Sequence, residues 1–221
     1  MDNKHLDASI FKYYNIFCNE EFEDILAGII GCYRSIISNK ILLPPNDENY
    51  IRDIILNNYL ADDQYKNEHP PLCNYHFDKE THEKNGRVDI RILSVIPYLG
   101  HNAYYVIECK RLDNINLTGT TGLNRKYVSN GIIRFVSKTY PFYKKTAGMI
   151  GFVVAKMDIK RNIFNINKLL KLIPSVNTNQ ELREQLILSD FNYSYISSHI
   201  IDNEIKYIYH LMLDFSDNLI K

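Results

Sequence analysis

Asp89 and the triplet Glu108-Cys109-Lys110 are the residues of this chain whose types and spacing could do chemistry. They lie on two apolar runs, Arg87 to Leu93 and Ala103 to Lys110. Both runs are rich in β-branched or aromatic residues, which predicts strands. Between them, Pro97-Tyr98-Leu99-Gly100 predicts a hairpin turn. With those residues as the loop, Ile96 faces His101, and counting outward sets Asp89 against Glu108 and Arg87 against Lys110. Directly opposed side chains in an antiparallel pair have Cβ atoms about 4.5–5.5 Å apart, where like charges are unfavourable. Alternation puts Asp89, Glu108 and Lys110 on one face and turns Cys109 to the other. Two carboxylates held together beside an amine need a compensating partner, and a divalent cation between them is the direct candidate. The competing reading is a solvated charged cluster on a half-exposed sheet, with Lys110 paired diagonally to Glu108. The apolar flanks argue instead for a buried sheet centre, where unpaired charge is costly.

The elements that must position these residues can be read from periodicity. Residues 8–39 predict a helix, with Phe22, Ile25, Leu26, Ile29, Ile30, Tyr33, Ile36 and Ile37 at three- and four-residue spacing. Pro44-Pro45 breaks it, and a second helix starts with Asn46 or Asp47 as its cap, burying Tyr50, Ile51, Ile54, Ile55 and Leu60. Residues 62–71 predict a loop, 73–77 the first strand and 78–86 a charged turn. After the two motif strands, 114–122 is a polar connection and 123 to about 140 a helix. Residues 147–155 form a continuous apolar run, the pattern of a strand buried on both faces. Beyond it, 163–173 and 180–188 predict helices, and 194–201 and 205–215 strands.

Val88-Asp89 and Glu108-Cys109-Lys110, on consecutive strands in this register, resemble the PD-(D/E)XK nuclease superfamily, the fold of many restriction endonucleases. The resemblance covers roughly residues 47–155, and Val88 stands where the family's name has Pro. The short run from Tyr127 to Val136 also resembles the helix that follows the active-site strand in such nucleases. The resemblance implies an α/β fold: a three-layer α/β/α sandwich around a mixed central sheet. Residues 1–45 would be a helical N-terminal extension, 46–155 the nuclease core and 156–221 a C-terminal α/β addition. It implies hydrolysis of phosphodiester bonds, first of all in DNA, in a restriction or anti-phage setting. Asp89 and Glu108 would bind metal through their side chains and Cys109 through its backbone carbonyl, while Lys110 positions water or steadies phosphate. Oxygen-only ligands suit Mg²⁺ or Mn²⁺ better than zinc. Members of the family often carry an acidic residue on the helix before the sheet, which points to Glu48. A carboxylate there also favours the helix dipole, so both readings stand. Glu20, Glu21 and Glu23 are its rivals on the earlier helix.

Arg111, Lys126, Tyr127, Arg134 and Lys138 trail the motif and are candidate nucleic-acid contacts, against a solvated basic helix face. Gly131 in that helix is unfavourable by roughly 1 kcal/mol relative to Ala, which suggests close packing. His76 and His82 with Asp78, Glu80 and Glu83 fit no familiar ligand spacing and read as a charged hairpin tip. Tyr193, Tyr195, Tyr207 and Tyr209 read as sheet packing, with an aromatic nucleic-acid platform as the alternative.

The formal net charge of zero is low for a protein that grips nucleic acid alone. It keeps open a subunit that cuts only with a partner protein of a defence system; RNA cleavage and a homodimer are further alternatives. The four cysteines lack CxxC spacing and predict free thiols. No stretch approaches the roughly 20 apolar residues of a membrane helix, and no secretory leader is evident, so a cytoplasmic setting without membrane contact is expected.

Overall fold

Apolar residues at helical spacing wind α1 (Tyr14–Ser38), whose inner stripe of Phe22, Ile25, Leu26, Ile29, Ile30 and Ile36 is fully buried. The computed structural model describes residues 14–83, 86–95 and 103–220. After Pro44-Pro45, the Asp47 carboxylate accepts the Tyr50 N–H at 2.9 Å and starts α2 (Glu48–Ile55), which continues through a π-helical turn to Leu60. The expected loop over 62–71 is instead α3 (Asp63–Glu68) followed by a 3₁₀ turn. Asp62 caps α3 through the Tyr65 N–H at 2.7 Å, which gives this polar stretch its helical start.

Seven strands form one mixed sheet in the order β1-β2-β3-β4-β7-β6-β5 among the described residues. They are β1 (Tyr75–Glu83), β2 (Gly86–Ser94), β3 (Tyr104–Leu112), β4 (Thr146–Val153), β5 (Thr178–Glu184), β6 (Ser194–Ile201) and β7 (Glu204–Asp214). β4 runs parallel to both β3 and β7, and the other neighbours are antiparallel. Every residue of β4 is buried, as its unbroken apolar run requires. The charged stretch expected to be a turn extends β1 to Glu83, with Asp78 opposite Arg91 and bound to its guanidinium at 2.6 Å. Residues 180–188, rich in helix formers, instead begin in the edge strand β5. Its outer backbone is satisfied by Asn167 of α6 (Ile159–Leu172), which bonds both the N–H and the carbonyl of Leu182. That pairing overrides local propensity.

Helices lie on both faces. One core joins α1 and α2 to Ile107, Cys109, Ile150, Tyr209 and Leu211. The other joins α4 (Leu123–Tyr127), α5 (Ile133–Val136) and α6 to Val106, Met149, Ile208 and Met212. A π-helical turn, Val128–Ile132, links α4 and α5. A Cβ on Gly131 in that turn would lie 2.5 Å from Met149 Cε and 3.6 Å from Lys110 Cγ, so the expected close approach of helix to sheet is present.

A chain of neutral hydrogen bonds crosses this second core. The Tyr127 hydroxyl lies 2.8 Å from His210 Nδ1, and Ser197 Oγ is 2.8 Å from His210 Nε2 and 2.9 Å from His199 Nε2. His199 Nδ1 is 3.0 Å from the Val176 carbonyl. A carbonyl only accepts, so His199 Nδ1 donates and its Nε2 accepts from Ser197. Ser197 then accepts from His210, and His210 accepts from Tyr127. One direction satisfies every member.

Candidate active site

The β2–β3 register is the expected one. It runs from Leu93 opposite Tyr104 to Ile90 opposite Ile107 and stops one step short of Asp89 and Glu108. The predicted turn residues 97–100 lie outside the described residues. On the other side, Lys79 pairs with Ile90 and Thr81 with Val88, so Glu80 and Asp89 are opposed but unpaired, with Glu80 in left-handed backbone (φ 51°). Ile90 and Ile92 enter the core beneath α1, whereas Val88 enters the one beneath α4. Simple alternation is therefore broken at Asp89. Its side chain fills the gap in the ladder: Oδ2 accepts the Cys109 N–H at 2.8 Å, and Oδ1 lies 3.3 Å from Arg52 Nη1.

Lys110 is the centre of the site. Its ammonium lies 2.6 Å from the Cys109 carbonyl, 2.7 Å from Glu108 Oε1, 3.1 Å from Glu48 Oε1 and 3.8 Å from Asp89 Oδ2. Glu48, at the start of α2, also accepts the Arg111 N–H at 2.7 Å, which ties that helix to the end of β3. Arg111 Nη1 reaches back to the Pro45 carbonyl at 2.7 Å and to Asn46 Oδ1 at 3.2 Å. Arg134 places Nη1 3.0 Å from Glu108 Oε1 and also donates to the Tyr140 hydroxyl, which in turn donates to the Arg87 carbonyl at 2.6 Å.

Glu108 is fully buried, and its Oε2 has no hydrogen-bond partner. Burial and then the Asp89 charge push its carboxyl up to about 8, against the pull of Lys110 and Arg134. Burial works against the Lys110 ammonium, yet Glu108, Asp89 and Glu48 outweigh it and hold its pKa above the ordinary lysine value. The buried Cys109 thiol is pushed well up by burial. That makes it a poor nucleophile and leaves the carbonyl as its contribution.

A cavity of about 430 Å³ opens beside this cluster, lined by the stretch Asn46 to Asn49, including the carboxylates of Asp47 and Glu48, and by Lys110, Arg111, Leu123, Lys126, Asn130 and Arg134. The amide oxygens of Asn46, Asn49 and Asn130 accept from Arg111, Arg52 and Ser129. Four cations, Lys110, Arg111, Lys126 and Arg134, against the carboxylates of Asp47 and Glu48 leave the lining net positive, which favours an anionic ligand.

One expected nucleic-acid contact is corrected. Tyr127 is fully buried with its hydroxyl on His210, because it lies on the apolar stripe with Val128, Gly131, Ile132 and Phe135. Lys138 lies beyond the helix end at Val136, in left-handed backbone (φ 62°), and its exposed ammonium pairs with Asp202. The rivals of Glu48 lie elsewhere. Glu21 binds the Tyr75 and Tyr105 hydroxyls and Lys144, Glu23 binds Gln185 and Tyr209, and Glu20 is exposed. His76 pairs with Asp78 at 2.8 Å and Glu80 with Arg52 and Arg87, while the side chains of His82 and Glu83 lie outside the described residues. Of the four tyrosines, Tyr195 and Tyr209 are buried in the cores and Tyr193 and Tyr207 pack partly buried against them.

Arg52 is the site residue that sequence reasoning missed. It is 1% exposed, and it binds Asp53, Glu80 and Asn49 as well as Asp89. Its spacing of four from Glu48 was the available signal, since it puts both on one helix face.

Among the described residues, no three His, Cys, Asp or Glu side chains are grouped closely enough to hold a metal ion as they stand. The donors nevertheless suit a hard dication in kind, being carboxylates and a carbonyl with one buried oxygen lacking a partner. The Lys110 ammonium lies among them. No described helix is long and apolar enough to cross a membrane. No protein-family model matches the chain, and no curated protein or solved structure matches it either.

Proposed function

We propose that this chain hydrolyses phosphodiester bonds of nucleic acid with a divalent cation, Mg²⁺ or Mn²⁺, acting on DNA as an endonuclease on a restriction-endonuclease-like fold. The observation that carries this reading is the convergence of Asp89, Glu108, Glu48 and the Cys109 carbonyl around Lys110, beside a cavity where four cations outnumber two carboxylates. The order of helix, three strands, helix and strand agrees with it. Asp89, Glu108 and the Cys109 carbonyl would hold the cation, which when bound polarises phosphate and acidifies water. Lys126, Asn130 and Arg134 would take phosphate oxygens, and Lys110 would neutralise charge at the reacting group. Arg52 and the Cys109 N–H fix the Asp89 carboxylate and so position it.

The test is cleavage of supercoiled plasmid, linear duplex and matched RNA with Mg²⁺ or Mn²⁺, comparing the natural chain with Asp89→Ala. Cutting of DNA that vanishes in the variant supports the reading, and undiminished cutting by folded Asp89→Ala overturns it. A second reading, that cutting requires a partner protein, is favoured by the net charge of zero. Activity only in a co-purified complex would select it.

A further inference from the structure

Resting on the reading that this site takes a divalent cation, we propose that the Lys110 ammonium is the resident cation of the oxygen cage and that metal enters as Lys110 swings out. An ammonium has three protons, and Lys110 has three oxygens within 2.6–3.1 Å, from Cys109, Glu108 and Glu48. Asp89 completes the ring at 3.8 Å. Asp89, Glu108 and the Cys109 carbonyl are the oxygens a hard dication would use, and an ammonium held among them would repel it. Contacts at Mg²⁺ lengths, roughly 2.0–2.1 Å, would also require the ring to contract.

Lys110 has somewhere to go. Its side chain is 13% exposed and lines the net positive cavity where Lys126 and Arg134 converge. An anionic phosphate there would draw the ammonium out of the ring. The carboxylates it leaves would then attract the metal, so substrate and metal favour one another's binding. Metal-free protein needs no ion to hold its acidic cluster together, because its own lysine neutralises it. The same side chain therefore opposes metal before substrate arrives and serves the phosphate afterwards.

The test is calorimetric titration of Mn²⁺ into the natural chain, Lys110→Met and Lys110→Gln, each checked for folding by circular dichroism. Removing a competing positive charge from a close site shifts cation affinity by about tenfold or more. Both variants are therefore expected to bind Mn²⁺ at least about tenfold more tightly than the natural chain, although neither cuts. Adding Asp89→Asn to either variant is expected to abolish that uptake. Should Lys110→Met not fold, Lys110→Gln, which keeps a hydrogen-bond donor, carries the comparison. Equal or weaker binding by the folded variants overturns the exchange while leaving the metal reading intact. Uptake that survives Asp89→Asn places the ion elsewhere and overturns the exchange as well. No uptake by any of the folded proteins overturns both.

Discussion

Two buried polar clusters lie on one face of the sheet, in one row of its register: Glu108 is opposite Met149, and Met149 is opposite His210. Within the chain Tyr127, His210, Ser197 and His199 every donor finds an acceptor, all groups are neutral and all four side chains are buried, although the hydroxyl of Tyr195, opposite His210, has no partner. Around Glu108 the neighbours are charged, two cations crowd Oε1, Oε2 has no partner, and a cavity opens alongside. Low dielectric rewards the first arrangement and penalises the second. Glu108 Oε2 is a buried carboxylate oxygen left unmatched two strands from that chain, where a bare polar atom is costly. The contrast separates a neutral, paired chain from a crowded acidic cluster beside a cavity, the one to which chemistry is proposed.

The sharpest way to break that contrast is to compare deletions in the two clusters. Asp89→Ala and Lys110→Ala are expected to lower cleavage by at least on the order of 10³-fold while retaining the fold, as measured by plasmid nicking and circular dichroism. Ser197→Ala should do the reverse. It leaves His210 Nε2–H and His199 Nε2 without partners, at about 1–3 kcal/mol for each buried group, with cleavage per folded molecule unchanged. Denaturant melts beside activity assays would check both, and a Ser197→Ala protein that is stable but inactive would erase the distinction.

The pH responses should differ in sign. Burial lowers both histidines, His199 to about 4. The unfolded chain therefore takes up protons that the folded chain refuses. Stability is full above about 6.5 and falls toward about 4, by roughly 1.4 kcal/mol per pH unit for His199 alone. Glu108 is raised to about 8, so in metal-free protein its contribution is present at low pH and is lost as pH rises through about 8. Metal competes with that proton, so Mn²⁺ affinity should climb with pH and flatten above about 8. Melts and titrations across pH 4–9 (roughly the span of these values) would test both slopes.

The smallest expected effect is at the boundary between the clusters. Gly131→Ala gains about 1 kcal/mol of helix propensity but drives a methyl against Met149 Cε, so stability should change by under about 1 kcal/mol. Cleavage should fall several-fold if the displaced turn presses on Lys110.

How legible all this was in the sequence depended on how local the cause was. The Asp89–Glu108 register followed from counting outward from a turn, because strand period ties the pairing to the loop. Glu48 came to Lys110 because Asp47 caps a short helix at that point. Arg52 was invisible because its burial depends on α2 packing against β1 and β2, and a charged helix residue usually faces solvent. Tyr127 was misassigned although its own stripe marked it as buried. Strand β5 was read as part of a helix over 180–188 because its structure comes from pairing with β6 and from Asn167 on Leu182, not from its own propensities.

The gap in the ladder at Asp89 has one more consequence. The Cys109 amide is protected by a side-chain carboxylate instead of by a neighbouring strand. Its deuterium exchange therefore serves as a single-atom reporter: Asp89→Ala should accelerate exchange at Cys109 while Ile107, paired to Ile90, stays slow. A bound ion that pulls Asp89 away would leave the same signature in the natural chain, readable by NMR without any substrate.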